Sequence, residues 1–348
     1  MTDPIAWLLE PQDPGVRYLA LRDLLCLPAD DPELLEACQA AHTHGPIAAI
    51  LDKMHPDGYW ARPGAGYNPK YFSTDWSLIM LGQLGACASM DMRIAHACEY
   101  VLNNALTKNG QFSMNGSPSA TIDCLQGNLC AALLALGCTD TRLDLAFEWM
   151  ARSITGAGLA PAAEQAAPLR YYSAKCGPLF ACGYNGRLPC AWGAAKSMLA
   201  FAHWPAARRT PLLKRALRQG ADFLFSRDPA RADYPTRNST RPSPNWRKFG
   251  FPVFYVTDLL QVLEALLAFG YANDARLSNA LALVRQKQDE QGRWSLEYAY
   301  TGKTWVDFGL IKQPNKWVTL RALKVLKDAG QYNPGGYFPI PSSRWVGA

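Results

Sequence analysis

The stretch Gln288-Asp289-Glu290-Gln291-Gly292-Arg293-Trp294 spells Q-x-x-x-G-x-W at the end of a helical run, with weaker copies at Gly58-Tyr59-Trp60 and Gly110-Gln111-Phe112. Each copy follows an alanine- and leucine-rich segment and precedes a loop rich in glycine and aromatic residues, so one helix-pair unit is reused along the chain. The expected fold is all-α, an α/α toroid of about six inner and outer helix pairs.

Composition permits a large core throughout. Of the 348 residues 49% are apolar and 18% charged, and no low-complexity tract interrupts them. No Ser/Gly-rich or charged linker divides the chain, which reads as one domain over 1–348 with a tail at 330–348. The formal net charge is +6, but the basic residues are scattered without the dense stripe that a phosphate backbone requires, so nucleic acid is not an expected partner. Met1-Thr2-Asp3-Pro4 opens without a basic, apolar leader, and no run approaches the ~18 apolar residues of a membrane span. A soluble, cytoplasmic protein without integral membrane association is expected; the oligomeric state is not legible. None of the ten cysteines forms a C-x-x-C pair, and Cys26, Cys38, Cys87, Cys98, Cys130 and Cys138 fall in or beside helical segments, where they read as small core fillers. Disulfides are not expected.

Apolar periodicity predicts helices over 16–26, 31–52, 75–86, 90–106, 123–137, 140–154, 190–203, 206–226, 255–270, 274–290 and 316–329. Asp31-Pro32, Thr139-Asp140 and Asn273-Asp274 supply start signals, and Gly137 and Gly270 supply stops. Their connections alternate between short turns and long aromatic loops, the latter at 57–74, 109–122, 155–189, 227–254 and 291–315. Such lengths exceed the usual ~4–6 residues and point to function. Because successive helices reverse direction, all the long loops emerge at one end, before helices such as Leu125 to Gly137 and Ala191 to Ala202 that carry almost no charge. Helices apolar all round form an inner ring, and the charged ones between them an outer ring. The expected mouth is therefore lined by inner-helix N-termini and long loops, and the last outer helix is either missing or supplied by the segment near Trp7-Leu8-Leu9.

With these repeats the chain resembles the terpene cyclase and protein prenyltransferase superfamily, whose α/α toroids carry Q-x-x-x-G-x-W motifs and hold isoprenoid chains in a central cavity. Only the copy at Gln288 to Trp294 is complete; Met54 and Leu106 replace the glutamine in the others. The segments Leu188-Pro189-Cys190-Ala191-Trp192-Gly193 and Asn315 to Leu323 resemble a bacterial branch of squalene-cyclase-like proteins. The resemblance implies a hydrophobic substrate, but not its catalytic residues. The Asp-x-Asp-Asp motif of squalene-type cyclases is absent, and the Asp, Cys and His zinc ligands of prenyltransferases have no counterpart: His42, His44, His96 and His203 fall on outer helices or the short-turn side, leaving His55 near the mouth.

Candidate chemistry comes from the residues at the inner-helix starts. Asp75, Asp123 and Asp258 stand there as possible general acids, since a carboxyl in an apolar site holds its proton to higher pH; the same positions suit ordinary capping. Cys124-Leu125-Gln126-Gly127 and Cys190-Ala191-Trp192-Gly193 repeat C-x-x-G at equivalent points, offering either thiol chemistry or a small-residue seam between helices. Cys124 and Cys190 are expected on adjacent helices near Asp123 and Tyr184. Substrate-facing candidates are Tyr172, Tyr184, Trp76, Trp192, Trp305 and Trp317 for their aromatic faces, Lys175 and Lys316 for anionic groups, and His55; Trp60 and Trp294 read as structural. No set of side chains has the spacing of a zinc site. The resulting expectation is a metal- and cofactor-independent enzyme that cyclises, isomerises, hydrates or dehydrates a hydrophobic, possibly isoprenoid, small molecule. A cysteine hydrolase with His55 as base, or a noncatalytic toroid binding a lipid or partner, are the alternatives.

Overall fold

The computed structural model describes residues 3–237 and 243–334, so the tail expected at 330–348 lies, from residue 335 on, outside the described residues. The chain is predominantly helical: α1 (Ile5–Leu8), α2 (Pro14–Leu19, continued by a π-helical turn, Ala20–Leu24), α3 (Pro32–Thr43), α4 (Pro46–Leu51), α5 (Thr74–Gln83), α6 (Met92–Asn104), α7 (Asp123–Ala135), α8 (Arg142–Thr155), α9 (Ala191–His203), α10 (Pro211–Leu224), α11 (Leu259–Ala268), α12 (Ser278–Gln286) and α13 (Lys316–Asp328). The helix expected over 31–52 is broken, because Gly45 takes φ 75° and starts α4, a conformation that only glycine adopts without strain. No described helix is long and apolar enough to cross a membrane.

Two classes of helix separate by burial. In α7 every residue from Leu125 to Leu133 is buried, whereas α10 buries only the stripe Leu213, Ala216, Gly220, Ala221 and Leu224; a helix covered on all sides packs inside, and a striped one outside. Packing runs from α5 to α7, α9, α11, α13 and α2. A Cβ added at Gly85, just after α5, would lie 2.6 Å from Leu19 of α2, so the succession returns to its start. Buried apolar residues from Leu8 to Leu326 form one connected cluster. The N-terminal segment seals against α13: Leu8 is fully buried, and Lys316 pairs with Glu10 and Asp13, both at 2.7 Å.

The repeat is visible as a hydrogen-bonding pattern. In all three copies the residue three before the glycine accepts that glycine's N–H and donates its own to the residue after it: His55 with Gly58 and Tyr59, Thr107 with Gly110 and Gln111, Asp289 with Gly292 and Arg293. Trp60 and Trp294 then turn inward, fully buried. Each indole N–H donates 2.7 Å to a carbonyl ten residues earlier, of Ile50 and Val284 respectively. Each backbone N–H donates to a threonine on the next inner helix, Thr74 and Thr319. The motif thus rivets each loop to the helices on both sides. Where Phe112 replaces tryptophan, its N–H donates instead to Gln126 Oε1 at 2.7 Å.

The long loops form one contiguous layer. Tyr71 stacks on Phe254 with ring centroids 5.0 Å apart and packs on Tyr300 at 4.5 Å, while Asn185 Nδ2 donates to Pro235 O. One segment, Phe251 to Tyr255, dips onto the axis between the inner helices. Gln83 of α5 grips it with both side-chain atoms, donating to Val253 O and accepting from Val253 N, each at 2.8 Å, and Asn128 of α7 donates to Phe254 O. The mouth expected at this end is therefore closed on the axis, because the loops are apolar enough to fill the space they surround.

Candidate active site

Three groups of residues lie around the inner helices, and only one gathers the expected site. The axial cavity, about 310 Å³, is lined by the C-terminal halves of the inner helices, among them Ile79, Ala131, Leu199, His203, Glu264 and Lys324. Of the expected aromatic residues only Trp317 reaches it, stacked on Phe251 at 4.7 Å. Its cations are already partnered: Arg321 binds both oxygens of Asp258, at 2.7 and 3.0 Å, and Glu264 at 3.0 Å, Arg22 binds Asp23, and Lys324 binds Asp328. Burial of Arg321 alone would lower its pKa; Asp258 and Glu264 outweigh it and hold the guanidinium charged. Asp258 also accepts the Gln261 N–H as the cap of α11, so its oxygens are committed.

Asp75 and its neighbours occupy the aromatic layer above the axis. The carboxyl is fully buried with no hydrogen-bond partner for either oxygen among the described residues, and burial pushes its pKa well above the carboxylate range. Trp76 donates its indole N–H to Tyr67 O and is fully buried. Trp305 donates to Phe72 O and Ser77 Oγ. Neither borders a described cavity. His55 lies apart, stacked on Tyr59 at 4.4 Å and paired with Asp57; it contacts neither Cys124 nor Cys190. Tyr172 packs against Trp149 and Arg170, and Lys316 is spent on Glu10 and Asp13.

The remaining candidates meet at the N-terminus of α9. A pocket of about 240 Å³ is walled by Cys182, Tyr184, Cys190, Trp192, Tyr234 and Trp246, among others. A short antiparallel pair, Ala181–Cys182 with Leu188–Pro189, brings Cys182 beside Cys190, and Cys124 of α7 reaches the same thiol. The proton of Cys190 is held up to about 12, first by the hydrogen bond to Cys124. Cys182 is raised too, chiefly by Cys190. Lys175 lies over the Tyr184 ring, 5.1 Å from its centroid. Among the described residues no group of three or more His, Cys, Asp or Glu converges on a metal position.

Behind this wall stands Asp123. Gly193, next to Trp192 of the wall, lies against it: a Cβ there would lie 3.6 Å from Asp123 Cβ, 3.9 Å from Cys124 Sγ and 3.9 Å from Cys190 Cβ. The Asp123 carboxyl is 8% exposed and accepts a hydrogen bond from Ser153 Oγ at 3.2 Å. Burial raises its pKa to about 7, against the lowering effect of the Cys176 thiol and the Ser153 hydroxyl. Tyr171 completes the enclosure, donating its hydroxyl to Ser153 O.

Sequence reading overlooked Cys176, Cys182, Tyr234 and Trp246, which lie in loops with no periodic signal. It also overlooked Lys196, whose signal was available: it is the lone lysine of an otherwise uncharged inner helix, and it is 1% exposed.

No protein-family profile matches the sequence, and no characterised protein does either. Among solved structures, the apo type II terpene cyclase MstE from Scytonema aligns with 86% of this chain and 98% of its own at 14% identity and a TM-score of 0.34. A variant of that enzyme in complex with geranylgeranyl dihydroxybenzoate gives 0.33 at 14% identity, over 86% and 98% of the two chains. A protein from Actinoplanes gives 0.33 at 14%, over 85% and 99%. Likeness at these scores carries no argument about activity.

Proposed function

We propose that this chain is one α/α toroid and an enzyme that cyclises, isomerises or dehydrates a hydrophobic small molecule by proton transfer, with Asp123 as the acid and the pocket beside α9 as the seat of the substrate. One observation carries the reading: a carboxyl enclosed by protein, poised at about 7, meets Gly193 at the start of the helix whose Cys190 and Trp192 wall an aromatic pocket. An acid with a pKa near working pH can both release and recover its proton, which gives general acid catalysis its efficiency. After release, the Ser153 hydroxyl and the Cys176 thiol stabilise the carboxylate. The faces of Tyr184, Trp192, Tyr234 and Trp246 suit the positive charge that develops on a protonated alkene or a departing alcohol.

The axial cavity suits that chemistry less well, because Arg22, Arg321 and Lys324 border it and cations oppose a developing carbocation. The hydrolase reading lacks a base, since His55 is remote from the thiols and Cys190 holds its proton. Isoprenoid alcohols and diphosphates head the substrate panel because the repeats resemble those of terpene cyclases. Product analysis by gas chromatography and mass spectrometry should show turnover that Asp123→Asn, folded by circular dichroism, loses. Undiminished turnover in that variant would overturn the assignment.

A further inference from the structure

We propose that Lys196 is a covalent binding site for a hydrophobic aldehyde or ketone, which enters through the axial cavity and is held as an imine. Nothing in the Asp123 reading uses this residue or this cavity, so the two stand independently.

The placement begins with helical spacing. Lys196, Leu199 and His203 lie three and four residues apart on α9, and side chains so spaced share one face. Leu199 and His203 line the cavity, so Lys196 heads the same stripe one turn further toward the plug. Its Nζ hydrogen-bonds to Gln261 Oε1, and Gln261 itself lines the cavity. The amine is therefore one side-chain bond behind the cavity wall. Its backbone is fixed from the other side, where a Cβ at Gly127 of α7 would meet the Lys196 carbonyl carbon at 2.5 Å.

The electrostatics favour the nucleophilic form. Lys196 is 1% exposed and its hydrogen-bond partner is an uncharged carboxamide, so nothing in contact repays the loss of water from an ammonium. Asp258, Cys124 and Glu264 favour the charged form from α11 and α7, and Arg321 of α13 opposes it. Asp258 and Glu264 are bound to Arg321, which offsets part of their field. Burial prevails, and the lysine falls to about 7. At neutral pH its neutral fraction is then on the order of a thousandfold larger than that of a surface lysine.

The cavity fits the other half of the reaction. About 310 Å³ with Leu19, Ile79, Leu199, Val253 and Trp317 in its walls is the size and character of a small-ligand site. The Nζ lone pair attacks the carbonyl carbon, forming the C–N bond while the carbonyl oxygen takes up the proton that nitrogen gives up. That oxygen, as hydroxyl, then leaves with the second amine proton as water, and the C=N bond remains. No redox partner is needed.

The test uses the full chain at pH 7 with decanal and sodium cyanoborohydride, which reduces an imine to a stable secondary amine, followed by intact-mass analysis and peptide mapping. The expected result is one stoichiometric decyl adduct at Lys196, formed at least 10 times faster than adducts at other lysines, given their far smaller neutral fraction. Lys196→Met should lose this adduct, and Gln261→Ala, which opens the wall, should accelerate it. Leu199→Trp fills the cavity while leaving the amine in place, and should slow labelling at Lys196 about tenfold, a route that holds even if Lys196→Met fails to fold. Adducts confined to surface lysines, or labelling at Lys196 that Leu199→Trp does not slow, would overturn the proposal.

Discussion

The two ends of the inner helices are built from opposite materials. At the end where long loops gather, aromatic rings and thiols fill the space, carboxyls such as Asp75 and Asp123 are stripped of water, and each lacks a cation. Toward the other end short turns leave the axis open, charged side chains join an apolar lining, and the acids there, Asp23 and Glu264, each have an arginine against them. Asp123 and Asp258 show the same contrast within one end: both are buried acids at the start of an inner helix. One keeps a proton to about 7, whereas the other is clamped by Arg321 from two sides. Burial without a partner makes an acid, and burial with one makes a strut.

The contrast is broken most directly by exchanging the roles of those two carboxyls. Asp123→Asn should lower turnover by about 10²–10⁴-fold, the usual contribution of a positioned proton donor, while Asp258→Asn should act on stability before it acts on chemistry. The same Asp123 variant has a pH signature. A carboxyl whose folded pKa is raised favours the folded state in acid, and that stability is lost as pH rises from the ordinary carboxylate range through about 7. Asp123→Asn should therefore gain stability relative to the parent between pH 5 and pH 8, on the order of 2–3 kcal/mol in chemical denaturation. A pH-independent difference would mean that Asp123 is ionised in the fold.

In the wall of the axial cavity, Arg321→Met strands Asp258 and Glu264 and should cost about 3–5 kcal/mol, measured by urea unfolding. Breaking the exposed pair of Arg208 with Asp144 should cost less than about 1 kcal/mol. Equal costs would erase the distinction between buried and surface pairing.

A finer comparison uses the glycines of the two C-x-x-G motifs. Gly127→Ala drives a methyl onto the Lys196 carbonyl and should destabilise by about 1–3 kcal/mol. Gly193→Ala meets only ordinary contacts and should change stability by less than about 1 kcal/mol. Its methyl nonetheless sits against Asp123 and Cys190, so its effect should appear in turnover. The smallest stability effect belongs to Cys190→Ala, within about 1 kcal/mol, since one sulfur is little buried volume. Loss of turnover in that variant would make the thiol part of the proton path, and full activity would leave it as wall.

Much of this architecture was legible in the chain. The three Q-x-x-x-G-x-W-type copies announced their own turn because a positive-φ glycine and a buried aromatic residue two positions on are local requirements, met at Gly58, Gly110 and Gly292 alike. Runs with almost no charge marked α7 and α9 as inner helices for an equally local reason: a helix with no charged face has nowhere else to go. The sequence also led one to expect Cys124 and Cys190 close to Asp123 and Tyr184, since the two C-x-x-G motifs stand at equivalent points of adjacent helices.

Tertiary structure decided what those residues are for. Thr121-Ile122-Asp123 and Thr257-Asp258 look alike as text, yet Asp258 meets an arginine 63 positions along the chain, whereas Asp123 meets a hydroxyl, a thiol and a backbone N–H and no cation. The plug at Phe251 to Tyr255, which closes the axis at the loop end and leaves the cavity open at the other, depends on Gln83, 170 residues away. Lys196 was in plain view, but its proton is governed by the absence of a carboxylate in contact, which only packing determines. Periodicity and turn chemistry act over a few residues and can be read in order; a pKa is the sum of burial and of charges brought together from anywhere in the chain.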